Sequence, residues 1–393
     1  MKNKILITAI FISLAFNCNA QSNIPGVLHE VSKNNKTIQS HEQYWIAQKL
    51  QYKTGISLYN PTVEYDYLKG SPANAGNQTD ILVSQSFDFP SSYRKKQQLA
   101  NEQILQADLQ LKSATQDILL EAKKICIELV YRNKLQLPLL KRKDATEKWL
   151  GNFKRRLDKG DGNILDVNKS ELQLIDVKKQ FRENASEIAS LTERLTALNG
   201  GNAIVFSDTV YSEMPIIPKF ETLEADFEAN DPMLKVMQQE KVVAQKQLEV
   251  AKSLTLPKME IGYHYQGILG QTYHGVHTGL TLPLWESKNT VKLQKAKIDY
   301  AETELANHKN GHFYEIKVLY GRYENLKLIL ADYNNKINAV ENIRLLDKAL
   351  AYGQISALDY FMEVNYYNTL FNSYLETEKD YHETIAELYK YQL

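Results

Sequence analysis

Two copies of one pattern stand in tandem in this chain, so whatever it folds into is built from two equivalent halves. Pro90 closes the segment SQSFDFP and Pro283, 193 residues later, closes HTGLTLP. The same interval carries Gly160 of RLDKGDGNILDV onto Gly353 of ALAYGQISALDY, and Leu165 and Asp166 onto Leu358 and Asp359. Each copy reads as strand, turn, strand, very long helix, glycine turn, second helix. The predicted organisation is a leader over residues 1–20, a first repeat over 21–201 (helix, strand hairpin, long helical hairpin), a linker over 202–222 and a second repeat over 223–393.

Lys2 and Lys4 precede the apolar run ILITAIFISLAF and then Cys18-Asn19-Ala20, which is the order of a secretory signal peptide cleaved after Ala20. About a dozen apolar residues are too few to span a bilayer that needs about 20. A lipid anchor on Cys18 is the rival reading, weakened by Asn17 where a small residue is expected. Removal of the leader would leave Cys126 alone, so packing rather than a disulfide must hold the fold. The 47 basic and 47 acidic residues cancel, which removes the electrostatic case for nucleic acid as a partner. Twenty-four tyrosines suit cores, interfaces and membrane boundaries alike, so their positions must decide.

Four segments alternate with period two, the signature of a strand with one apolar and one polar face. Val63, Tyr65 and Tyr67 oppose Thr62, Glu64 and Asp66; Ile81, Val83, Phe87 and Phe89 oppose Ser84, Ser86 and Asp88. In the second copy Met259, Ile261, Tyr263 and Tyr265 oppose Lys258, Glu260, Gly262 and His264, and Val276, Leu280 and Leu282 oppose His277, Gly279 and Thr281. Glycine-rich connections make each pair a hairpin. The strands approach the roughly 9–11 residues that cross an outer membrane, with aromatics on their apolar faces. An open four-stranded sheet in lipid would leave edge groups unpaired at several kcal/mol each, so copies from other chains must close it. Two, three or four chains give 8, 12 or 16 strands, and an eight-stranded barrel is largely filled by side chains, which favours three or more.

Residues 91–158 hold one proline, Pro138, and no glycine before Gly151, the punctuation of a single helix about 100 Å long. Ala100, Ile104, Ala107, Leu111, Ala114 and Ile118 form a coiled-coil seam of alternating four- and three-residue steps. The matching helix is expected over 286–352, mildly interrupted by Gly311 and Gly321, with Ile298, Ala301 and Leu305 on a comparable face. Asn163 and Ser356 each stand three residues before an aspartate and cap the return helices, so each glycine turn is the apex of a helical hairpin.

With these features in place the chain resembles the TolC family of outer-membrane efflux proteins over nearly its whole mature length. The most specific matches are YNPTVEY, VSQSFDFPSSYRKKQQLANEQI and the two apices RLDKGDGNILDV and ALAYGQISALDY. The resemblance implies an α+β membrane protein, a homotrimer whose hairpins make one 12-stranded β-barrel continued by an α-helical periplasmic tunnel. It implies a periplasmic adaptor, an inner-membrane RND-type pump and outer-membrane lipid as partners, and no cofactor. Gly160, Leu165, Asp166, Gly353, Leu358 and Asp359 would face the adaptor. Gly162 and Asn163 depart from the usual apex, where a small residue and serine are commoner.

NPTVEY and the SQSFDFP–RKK passage lie nearest the heavy-metal branch, which works with cation-exporting pumps. Glu64, Asp66, Asp88, Glu260, His264 and His277 would line the lumen, and Val63, Tyr65, Tyr67, Phe87, Phe89, Met259, Ile261, Tyr263, Tyr265, Leu280 and Leu282 would face lipid. A polar lining is also what any water-filled barrel requires. His274 and His277 are an odd interval apart on a strand and point to opposite faces. Export of drugs or other small molecules, service as a type I secretion outer-membrane channel, or a periplasmic coiled-coil scaffold are the competing functions. Enzymatic chemistry finds no support: HExxH, phosphate loop, GxSxG and a cysteine pair at metal-ligand spacing are all missing. His308 and His312 in HKNGH would share a helix face, read as a solvated pair without a third ligand.

Overall fold

A computed structural model describes residues 23–212, 215–336 and 339–393; the leader and the lipid question at Cys18 lie outside them. Helices α1 (Ile24–Asn34) and α2 (Lys36–Tyr52) precede strands β1 (Thr62–Leu68) and β2 (Gln78–Phe87), followed by α3 (Pro90–Asp158) and α4 (Ile164–Leu198). The second copy repeats the order with α5 (Phe220–Asn230), α6 (Pro232–Ser253), β3 (Lys258–Ile268), β4 (Gln271–Thr281), α7 (Thr290–Lys336), α8 (Ala339–Ala351) and α9 (Ala357–Leu388). The helix pairs that open each copy extend the duplication beyond what the alternation and the apices mark. Both second members are capped alike: buried Asn35 accepts from the amides of Thr37 and Ile38, and buried Asp231 from that of Leu234.

The long helix of the first copy starts at Pro90, where a missing N–H costs nothing, and Pro138 lies inside it. Its counterpart starts at Thr290 rather than at residue 286 as expected. Residues 283–289 are spent on a turn in which Lys288 donates to the Trp285 carbonyl and Asn289 takes the left-handed conformation at φ 66°. Gly311 and Gly321 leave α7 unbroken. Residues 202–219 form neither helix nor strand where they are described, Ile204 and Phe206 among them are buried, and α5 begins at Phe220, inside the stretch 202–222 expected as linker.

The chain divides into two compact units, each drawing on both repeats. One comprises Met1–Asn34, Ala122–Glu213 and Ile337–Lys379; the other comprises Asn35–Glu121, Met214–Lys336 and Asp380–Leu393. In the first, Leu135 and Leu139 of α3 pack on Leu375 of α9, joined by Phe181 of α4. Cys126 is wholly buried there, and burial pushes its thiol up to about 12, so it is an inert packing group. In the second, Leu223 and Phe227 of α5 meet Ile316 and Tyr323 of α7 and Ile385, Leu388, Tyr389 and Tyr391 at the C-terminal end. Each such side chain contributes about 1.5–3 kcal/mol when fully buried. Of the α3 seam, Ala100 and Ala107 are closely covered.

All four strands belong to the second unit and form one antiparallel sheet ordered β1-β2-β3-β4. The two copies therefore join edge to edge through β2 and β3. A two-residue turn at Leu269-Gly270, both at positive φ, lets β3 and β4 run 11 residues each, while β1 is shorter at seven.

Candidate functional site

Cross-strand register sorts the side chains because residues directly opposite each other share a face. Val63 pairs with Val83, Val83 with Tyr263 and Tyr263 with Val276; Tyr65 pairs with Ile81 and Ile81 with Tyr265. Phe87, Met259, Ile261 and Leu280 fall on the same side, as does Tyr67. The structure thus gathers the apolar residues singled out in the sequence onto one face, except Phe89 and Leu282, which lie just beyond the ends of β2 and β4. Among the described residues nothing covers this face: Val63 is 69% exposed, Ile261 53% and Val276 76%.

Glu64, Asp66, Glu260, His264 and His277 share the opposite face. Asp80, which the sequence reading passed over, joins them directly across from Asp66. An even interval from Ser84 would have revealed it. Two carboxylates so placed oppose pairing by up to about 1 kcal/mol. His264 Nε2 lies 3.9 Å from Asp80 Oδ1, and His277 Nε2 lies 3.9 Å from Glu260 Oε1. Ser86 Oγ donates to Glu260 Oε2 over 3.3 Å.

Asp88 is a correction. β2 ends at Phe87, and Asp88 is only 1% exposed, paired with Lys96 Nζ at 2.8 Å and accepting from the Tyr59 hydroxyl at 3.3 Å. Its backbone amide donates to the Tyr93 hydroxyl. An enclosed carboxylate with these partners anchors the strand-to-helix joint rather than lining a passage.

The two apices belong to the first unit and match hydrogen bond for hydrogen bond. Gly160 N–H donates to the Leu157 carbonyl and Asp161 N–H to that of Arg156; 193 residues on, Gly353 donates to Leu350 and Gln354 to Ala349. These are paired Schellman endings, with Gly160 at φ 76° and Gly353 at φ 70°. Asn163 accepts from the Leu165 amide at 2.9 Å. Ser356 makes the fuller box, accepting from the Asp359 amide at 3.1 Å while its hydroxyl donates to the Asp359 carboxylate at 2.6 Å. Phe153, Val167, Leu350, Ala357 and Tyr360 form one core beneath both turns, so the apices are held as a pair. Leu165 and Leu358 remain exposed above it, at 63% and 43%. Glycine at 162 has a steric reason, since a Cβ there would lie 2.4 Å from the Leu157 nitrogen.

His274 pairs with Tyr265 and His277 with Gly262, on opposite faces as the odd interval requires. His308 and His312 do share a face of α7, with ring centroids 5.0 Å apart, but the solvated reading fails for His312. It is 7% exposed and packs on the Phe227 ring at 4.7 Å. Burial lowers its pKa below the ordinary 6.5, with Lys390 adding to the effect and Asp231 and Glu315 opposing it. Among the described residues no group of three or more His, Cys, Asp or Glu is arranged to hold a metal ion, and no helix is long and apolar enough to cross a membrane.

A four-stranded sheet exposed on both faces and joined to long duplicated helical hairpins is the fold of the outer-membrane channels. The chain superposes on a membrane protein from Pseudomonas aeruginosa with TM-score 0.78 at 13% identity, covering 94% of this chain and 89% of that one. The outer-membrane protein VceC of Vibrio cholerae matches with TM-score 0.74 at 12% identity over 94% and 95% of the two chains. The CmeC outer-membrane channel of Campylobacter jejuni matches with TM-score 0.72 at 14% identity over 94% and 85%. No protein-family model and no curated protein matches the sequence.

Proposed function

We propose that the chain is one subunit of an outer-membrane channel, a passive exit duct for substrates delivered by a periplasmic adaptor and an inner-membrane RND-type pump. The observation that carries this is the uncovered apolar face of the β1–β4 sheet. In a water-soluble protein an alternating sheet lays its apolar face on a core, and here no described residue covers that face. Lipid on one side and water on the other match the two faces. The free edges at β1 and β4 call for identical neighbours, and three copies would give a 12-stranded barrel.

Metal cations are the favoured cargo, and no chemistry is assigned to the chain itself. Glu64, Asp66, Asp80 and Glu260, flanked by His264 and His277, give the polar face acceptors for cations and little to attract anions. Gly160, Leu165, Asp166, Gly353, Leu358 and Asp359 are the adaptor-facing groups in this reading.

Proteinase K digestion with and without liposomes tests the membrane assignment. Lipid should protect residues 62–68, 78–87, 258–268 and 271–281, whereas equal cleavage in both conditions would indicate a soluble scaffold instead. For the apices, a chain carrying Gly353→Val and Leu358→Asp should assemble normally yet lose export. Undiminished export would remove the adaptor assignment.

A further inference from the structure

We infer that a cavity among α3, α4, α8 and α9 binds a small carboxylate with an aromatic body. The cavity measures about 470 Å³ and is lined wholly by residues of the first unit. That volume falls within the roughly 300–1,000 Å³ of small-molecule sites. Trp149, Tyr360, Phe361, Tyr367 and Phe371 contribute rings to its wall. Trp149 Nε1–H donates to the Tyr360 hydroxyl at 3.1 Å, that hydroxyl donates to Asp347 Oδ1 at 2.7 Å, and the Trp149 and Tyr360 rings lie 5.5 Å apart. The aromatic surface is therefore held in place before any ligand arrives, and Phe361 extends it.

Charge decides what kind of ligand fits. Lys141, Arg142 and Arg344 line the cavity against one carboxylate, Asp347, which is already engaged by Tyr360. Arg142 is the group that matters most. Its Nη2 donates to the Asn372 side-chain oxygen at 3.0 Å, and among the described residues no carboxylate pairs with it. Burial lowers its pKa to about 10, which still leaves it cationic at neutral pH. A guanidinium offers five N–H donors in a planar fork, and one amide oxygen answers only part of that capacity. A carboxylate accepts two parallel N–H bonds from such a fork, while a flat apolar body fills the space against Trp149 and Phe361.

Calorimetric titration of the assembled full-length protein in amphipol with naphthalene-2-carboxylate, and with the neutral naphthalene-2-carboxamide, tests the assignment. The carboxylate should bind, Arg142→Gln should weaken it at least tenfold, and Arg142→Lys should lose less. Amide binding should not respond to Arg142→Gln. Equal carboxylate affinity in Arg142→Gln, or no binding by the unaltered protein at millimolar concentration because a second copy fills the space, would overturn the site. Should Arg142→Gln lose helix content, Val364→Phe decides instead, since it occupies the cavity and leaves Arg142 in place. Loss of the binding heat supports the site, and unchanged binding refutes it.

Discussion

Gly162 separates two reasons for a glycine. Gly160 needs its left-handed backbone and nothing crowds it, so Gly160→Ala would cost about 1–2 kcal/mol of backbone strain. At Gly162 a methyl group would strike the Leu157 backbone nitrogen, which cannot rotate away as a side-chain tip could. Gly162→Ala should therefore open the first apex more than Gly160→Ala does. The readout is hydrogen exchange at the Gly160 and Asp161 amides, which should lose more protection in Gly162→Ala. Equal protection in the two variants would mean that the turn yields at 157. The turn at Gly160 is legible in RLDKGDGNILDV, but the reason for Gly162 is not, because the clash depends on the path the chain takes back over its own last helical turn.

Helix α7 carries a titration the sequence presented as ordinary surface chemistry. His308 and His312 share a face by their spacing, but which neighbour covers that face depends on α5, which straddles the 222/223 boundary between the expected linker and second repeat and carries no helix expectation from the sequence. With Phe227 laid against it, His312 is held neutral in the fold and its pKa sits below 6.5. As pH falls through 6.5, the unfolded chain takes up a proton that the folded one resists, so stability is full above that point and declines below it. His312→Gln should flatten the decline in thermal stability from pH 6.5 downward relative to the unaltered protein. An identical slope would show that other groups dominate the acid response.

The strands were more legible, since period-two alternation identifies their faces without a partner. Asp88 was misassigned because alternation continues in letters after the strand has ended, and Asp80 was missed because β2 begins earlier than the letters suggest.

Over the whole molecule, duplication and alternation together set the architecture, while the edge-to-edge union of the two copies through β2 and β3 lay beyond them. Which strands pair between copies depends on long-range register, and no local pattern carries it. That union leaves β1 and β4 open, with an apolar face on one side and a carboxylate-rich face on the other, which the proposed channel would turn to lipid and to water. A single chain cannot satisfy both edges in a membrane, where each unpaired backbone group costs several kcal/mol. Native mass spectrometry of the detergent-extracted protein should accordingly release an assembly of three chains. A monomer that stays dispersed after the detergent is withdrawn would contradict the closed barrel and the channel with it.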